Sequence, residues 1–477
     1  MRPARLLVVA VVVAALVGGF VADRRDRPSV DVPVELAGSA PFADGGGVWF
    51  CPGGSAPGGV AEVALELINA GSEPATAIVT GVRSGTGAEP RSVEELLDAG
   101  ERRLVRLADL VPDSAWLGAV VEVDSADVVV EQTYVGEVNA EDAARGSDRA
   151  PCHTRTATTW LAASGATRKQ ELGEEMMLFV LNPFLDDAVL DIRFDSDVGI
   201  DSRSGVVVPA RRVVAIDITE EVTVASRVSA IIDVVTGSVA VSRLQIVENE
   251  QRHGLAVTPA SADAAPIWYL PTVRRGTRDD VVTVVNPSTT ETAEVDLEII
   301  ADGELEFDPI QLTVRPGRSV AVAIADEARL EGVGVLSMVA RSLGGQPVAV
   351  MVESALPFGD GPVSNLSAMV GSDAASTRWI APAESDDGSV VIFNPSSSTI
   401  ATATVSVVVD GGFEQIAEVE IGAGHRSVIT AAELGGDRPI AIIESTSPVV
   451  VGREFADVSV HGLAMAIMAD PPTALVD

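Results

Sequence analysis

The chain has 477 residues, 47% hydrophobic and 21% charged, a globular balance that excludes the disordered class and allows roughly three to four domains of about 100–150 residues. Its formal charge of -36, from 69 acidic and 33 basic residues, repels nucleic acid and anionic lipid headgroups, so no nucleic-acid partner is expected. Lys169 is the single lysine, and no basic patch offsets the acidic excess.

The first element is an export signal. Arg2 and Arg5 precede seventeen uncharged residues, Leu6 to Ala22, which as a helix reach about 26 Å and just span a thin hydrocarbon core. Phe20 at -3 spoils a cut after Ala22, and Leu16 spoils one after Gly18, so an uncleaved signal-anchor at 1–22 is favoured, with secretion after cleavage as the alternative. Val48-Trp49-Phe50 ahead of Cys51 is no lipobox. Residues 23–44 read as a stalk.

Beyond the stalk the sequence repeats itself. Trp49, Trp160, Trp268 and Trp379 are spaced 111, 108 and 111 residues apart, and each opens a short apolar strand. Asn69, Asn182, Asn286 and Asn394 follow, the last three as Asn-Pro, a pair that initiates turns. Alternating strands come next, with Leu190, Ile192 and Phe194, then Val295, Leu297 and Ile299, then Val405, Val407 and Val409 each marking one buried face. Arg102, Arg211, Arg318 and Arg426, spaced 109, 107 and 108 residues apart, sit in a tight loop. Short helical turns fit near Thr219, Ala325 and Ala431, and a valine-rich hairpin strand closes every copy.

Four units of about 108 residues therefore lie at 45–153, 154–262, 263–373 and 374–477. Seven or eight short strands per unit predict an all-β chain of four tandem immunoglobulin-like β-sandwich modules after one N-terminal transmembrane helix. A β-propeller with two blades per repeat is the alternative.

Residues that recur in phase are expected to determine the fold, and residues present once are better functional candidates. The tryptophans read as core anchors, and the arginines as loop holders pairing with carbonyls or a carboxylate. His253 and His461 occupy matching tails, while His153 and His425 show no metal-ligand spacing. No serine-nucleophile motif or phosphate cradle occurs, so no catalytic, metal or cofactor residue is expected. Cys51 and Cys152 are the only cysteines, and in an oxidising compartment the expectation is a disulfide between them. Trp116 has no counterpart and is the candidate partner contact.

The phased tryptophans, the Asn-Pro turns, the Pro-x-Arg-x-Val pattern and the closing valine runs, behind a single N-terminal span, resemble an actinobacterial family of membrane-anchored envelope proteins of unknown function, often encoded near a glycosyltransferase. The resemblance implies an envelope-polysaccharide setting and transfers no catalytic residue. Asn69-Ala70, in place of Asn-Pro, departs from the pattern.

The expected role is a non-enzymatic scaffold of the bacterial envelope: four sandwiches in a row, anchored by the N-terminal helix and contacting other envelope proteins or polysaccharide. A polysaccharide-binding protein and a glycan-modifying hydrolase are the alternatives.

Overall fold

The structure, a computed structural model, describes residues 46–469 apart from 88–90, 137–144, 250–252, 276–278, 302–305, 356–365, 384–387, 410–411, 436–437 and 458–459. The expected membrane segment at 1–22 and stalk at 23–44 lie outside the described residues. Among the described residues no helix is long and apolar enough to cross a membrane.

Strands form where the apolar period is two. In Ala188–Ser196 the side chains of Leu190, Ile192 and Phe194 are buried and alternate with half-buried neighbours, and Ala293–Ala301 repeats the pattern. Val409 is the exception, exposed at the end of Ala401–Val409. Short helical turns lie at Leu107–Leu110, Ile218–Glu221 and Ala431–Leu434. In the last, Thr430 and Glu433 form a reciprocal capping box that satisfies two of the turn's end groups.

The first repeat contributes β1 (Gly47–Ser55), β2 (Glu62–Asn69), β3 (Ala75–Arg83), β4 (Ser92–Leu97), β5 (Arg102–Arg106), β6 (Trp116–Val123), β7 (Val128–Val135) and β8 (Ser147–Pro151). They make two antiparallel layers, β4-β3-β6-β1 and β5-β2-β7-β8, joined by one parallel bridge from Ser55 to Glu62. The second and third repeats place their strands in the same order as separate four-stranded sheets. The fourth does so with one 18-residue strand, Ile440–Asp457, serving as both sixth and seventh.

Each repeat is thus a two-layer all-β unit, but the strand order is not the immunoglobulin one. Pairing of the second strand with the fifth and of the third with the sixth is shared. The first strand, however, pairs with the sixth, and the seventh with the second, where an immunoglobulin domain joins first to second and sixth to seventh. The propeller alternative also falls away. A blade is built from neighbouring strands, whereas each sheet here draws on both halves of its repeat.

The expectation of sandwiches in a row is corrected as well. The last strand of each repeat lies at a common centre: β8 packs on His253–Pro259, that strand on Leu366–Val370, that on Val460–Met465, and the last returns to β8. The repeats close into a ring. Hydrophobic burial carries the closure, because the first repeat's core runs on into Met177, Phe179 and Leu244 of the second and into Ile380, Ile440 and Ile442 of the fourth. Each fully buried isoleucine stabilises by about 1.5–3 kcal/mol. The same packing explains why Glu174–Asn182 is buried on both faces: one faces its own partner sheet, the other the neighbouring repeat. Such a strand reads as a continuous apolar run rather than an alternating one.

Candidate functional site at the axis of the ring

The segment leaving each last strand turns back to bridge its own repeat's first strand, pairing Phe50 with His153, Leu161 with Ser261, Tyr269 with Ser372 and Ile380 with Ile467. These four return segments surround a cavity of about 210 Å³ on the axis, lined by residues from every repeat, including all four phased tryptophans. The tryptophans are 0–2% exposed. Trp160, Trp268 and Trp379 each donate an indole N–H to the carbonyl of Val239, Val348 and Val449, at 3.0, 2.6 and 2.9 Å. That bond ties the first strand to the start of the seventh and satisfies the buried polar tip.

At the cavity, His153 Nε2 donates to the Val241 carbonyl at 2.7 Å, and its ring meets Trp160 edge-on at 4.6 Å. Burial, aided by the charge of Arg155 and opposed by that carbonyl bond, holds His153 down at about 4, so it is neutral near pH 7. Arg155, in the segment that follows β8, forms an ion pair with Asp263, in the segment that follows His253–Pro259. Burial pushes the Asp373 carboxyl up, and the neighbouring Asp263 charge adds to the rise.

The four asparagines are fully buried and do one job. Asn182 donates Nδ2 to the carbonyls of Asp186 and Val208 at 2.8 and 3.0 Å and accepts from the Phe184 N–H at 3.0 Å. Asn286 holds Glu291, Val314 and Ser288, Asn394 holds Thr399, Ile421 and Ser396, and Asn69 holds Glu73, Leu97 and Gly71. Each carboxamide clasps the end of the second strand, its turn and the end of the fourth strand. The first repeat keeps this clasp without proline, and Ala70 uses its N–H to bond the Asp127 carbonyl at 2.9 Å.

The arginines pair with carbonyls or a carboxylate, and three of the four reach the preceding repeat, Arg102 also pairing with Glu66 of its own. Arg318 Nη1 bonds Asp195 of the second repeat at 2.6 Å, Arg426 Nη2 the Val335 carbonyl of the third at 2.9 Å, and Arg102 Nη1 the Ala383 and Arg438 carbonyls of the fourth at 2.7 and 3.0 Å. In the second repeat Arg211 is exposed with φ 54. Its neighbour Arg212 takes the role, donating from Nε to the Gly85 carbonyl of the first repeat at 2.7 Å.

Cys51 and Cys152 form a disulfide, with Cα atoms 4.9 Å apart, beside the axial cavity. Trp116 is half-buried and its ring lies 5.5 Å from Phe179 of the second repeat, so its contact is with the neighbouring repeat of the same chain.

Several decisive residues escaped the sequence reading. Glu131 and Arg453, both buried, pair between the first and fourth repeats, and Arg243 pairs with Glu353 at 3.1 Å between the second and third. Glu66 accepts from Arg102, Arg149 and Arg438. Burial pushes its carboxyl up, but the Arg102 hydrogen bonds and the three guanidinium charges together bring it down to about 2. Asp148 on β8 accepts from the Val257 N–H of the second repeat at 2.8 Å and from Ser367 of the third at 3.4 Å, and burial holds its carboxyl well above the usual range. The signal was available: each valine-rich closing strand runs into a charged residue, Glu131, Arg243, Glu353 and Arg453, with the sign alternating from repeat to repeat.

No family model and no curated protein matches the chain. Among solved structures, a tetra-tandem repeat from the extending region of a large adhesion protein is 13% identical, covering 89% of this chain and all of that one, with a TM-score of 0.12. A likeness at that level carries no argument about fold or function.

Proposed function

We propose that the chain is a non-enzymatic, membrane-tethered scaffold of the bacterial envelope, holding other envelope proteins or polymer outside the membrane. The observation that carries the reading is the bridge between Cys51 and Cys152, which suits an oxidising, extracytoplasmic compartment. The welded ring supports it by offering a rigid body whose outer strands face solvent. Gly199–Val208, for example, exposes Ile200 and Val207 on a sheet edge, and an open edge is a ready template for strand addition. The polysaccharide-binding alternative loses its stacking platform, since the phased tryptophans are buried in the ring.

The test is photo-crosslinking from position 200 of the full chain in its native membrane. The scaffold reading expects a discrete envelope protein or polymer adduct that disappears when a crosslinker is placed at buried Ile192 instead. Equal labelling from both positions, or none from position 200, contradicts it.

A further inference from the structure

We propose that the axial cavity is a binding site for a small organic cation with an apolar body, such as an alkylammonium group. This goes beyond the scaffold role and does not depend on it. Three observations converge on one ligand chemistry.

The first is room. At about 210 Å³ the cavity exceeds by an order of magnitude the ~10–15 Å³ that a single buried water requires. The second is the wall. Met369, Met465 and Met468 line it beside the small side chains of Ala260 and Ala368, and thioether side chains mould themselves to irregular apolar guests and contact aromatic edges favourably.

The third is charge. Asp263 and Asp373 both line the cavity, and one guanidinium, Arg155, serves the two: it is ion-paired with Asp263 and its charge also acts on Asp373. Among the described residues no arginine or lysine forms an ion pair with Asp373, which leaves one net negative charge on the lining. An incoming cation would offset the repulsion that Asp263 exerts on Asp373, whereas an anion would add to it. An apolar pocket with a few convergent polar groups is the usual form of a small-molecule site.

The probes are hexylammonium, hexanol and hexanoate, titrated at pH 8 into the full chain in nonionic detergent. Intrinsic fluorescence is the readout, since four of the five tryptophans line the cavity. Hexylammonium is expected to saturate at a concentration roughly tenfold below hexanol, with hexanoate weakest. Asp373→Asn should remove the preference for the amine while leaving hexanol unchanged, and Ala368→Leu, which fills the cavity, should weaken both. Asp373→Asn preserves side-chain shape, so it reads charge rather than folding. No saturable change with any probe, or a preference for the amine that survives Asp373→Asn, overturns the proposal.

Discussion

Arg453 and Glu131, 322 positions apart in the chain, form an ion pair in which both side chains are shut off from solvent. Arg453 also donates to the Pro382 carbonyl at 2.7 Å. The pair fastens the fourth repeat to the first, as Arg243 and Glu353 fasten the second to the third. Removing one partner leaves a buried charge without compensation. Glu131→Gln is therefore expected to cost about 3–5 kcal/mol in urea-denaturation stability, and Glu131→Arg combined with Arg453→Glu should recover part of that loss. A cost below about 0.5 kcal/mol, the size of a surface change, would mean that the pair is solvated and the closure loose.

The asparagine clasp gives a second expectation. Asn286→Ala strips hydrogen bonds from the carbonyls of Glu291 and Val314 and from the Ser288 N–H. The buried Val314 carbonyl left unsatisfied costs about 1–3 kcal/mol, and the part-buried Glu291 and Ser288 groups cost less, so a loss of at least about 1–3 kcal/mol is expected by denaturant titration. Asn69→Ala should cost a comparable amount although no proline follows, because its carboxamide makes the same bonds. A much smaller loss at Asn69 would show that proline, not the carboxamide, holds the turn.

Acid should loosen the molecule in two stages. His153 has a folded value near 4 against an ordinary 6.5. The unfolded chain therefore binds the extra proton first, and the stability present above 6.5 is lost progressively as pH falls toward 4. Glu66 is held near 2 against an ordinary 4.5, so its contribution is present above 4.5 and disappears between there and 2. His153→Gln should flatten the melting-temperature profile between pH 6.5 and 4 without changing the steeper fall below. An unchanged slope in the upper window would remove His153 as its source.

Asp148 works in the opposite direction. A carboxyl raised by burial costs the folded state stability as pH climbs from its ordinary value of 3.8 up through its folded value. Asp148→Asn keeps an acceptor for the Val257 N–H and removes the charge, so thermal stability at pH 8 should hold or rise. A loss of more than about 2 kcal/mol, well beyond a typical single hydrogen bond, would show that the charge itself is needed by Arg149 or Arg243.

The disulfide closes a loop of 101 residues, worth about 4–5 kcal/mol in the chain-entropy model. Reduction should lower the melting temperature, and the pair Cys51→Ala and Cys152→Ala should reproduce the reduced value. A melting temperature insensitive to reductant would place the stability of the first repeat in its contacts with the second and fourth.

What the sequence disclosed was what repeats locally. Tryptophan, asparagine and alternating valine positions each answer to their own strand or turn, so phase alone located them. The ring depends on contacts between repeats. Ile380 reads as an ordinary strand residue, and nothing near it announces that it joins the core of the first repeat. Arg211 kept the spacing, yet it stands in the turn with φ 54, one residue short of the strand pairing, which begins with Arg212 opposite Asn182, and Arg212 makes the bridge. The axial cavity was hidden for the same reason: its acids, Asp263 and Asp373, follow the last strands of successive repeats, 110 positions apart in the chain, and meet only after closure.

Ring closure is tested most directly by a designed crosslink between Gly100 of the first repeat and Val408 of the fourth. A Cβ at Gly100 would lie 3.6 Å from the Val408 Cβ, within the range a disulfide spans. Oxidation of the full chain carrying Gly100→Cys and Val408→Cys, followed by non-reducing peptide mapping, should recover the 100–408 bridge alongside Cys51–Cys152. Recovery of the native bridge with positions 100 and 408 as thiols would mean that the repeats extend in a row and that the ring does not form.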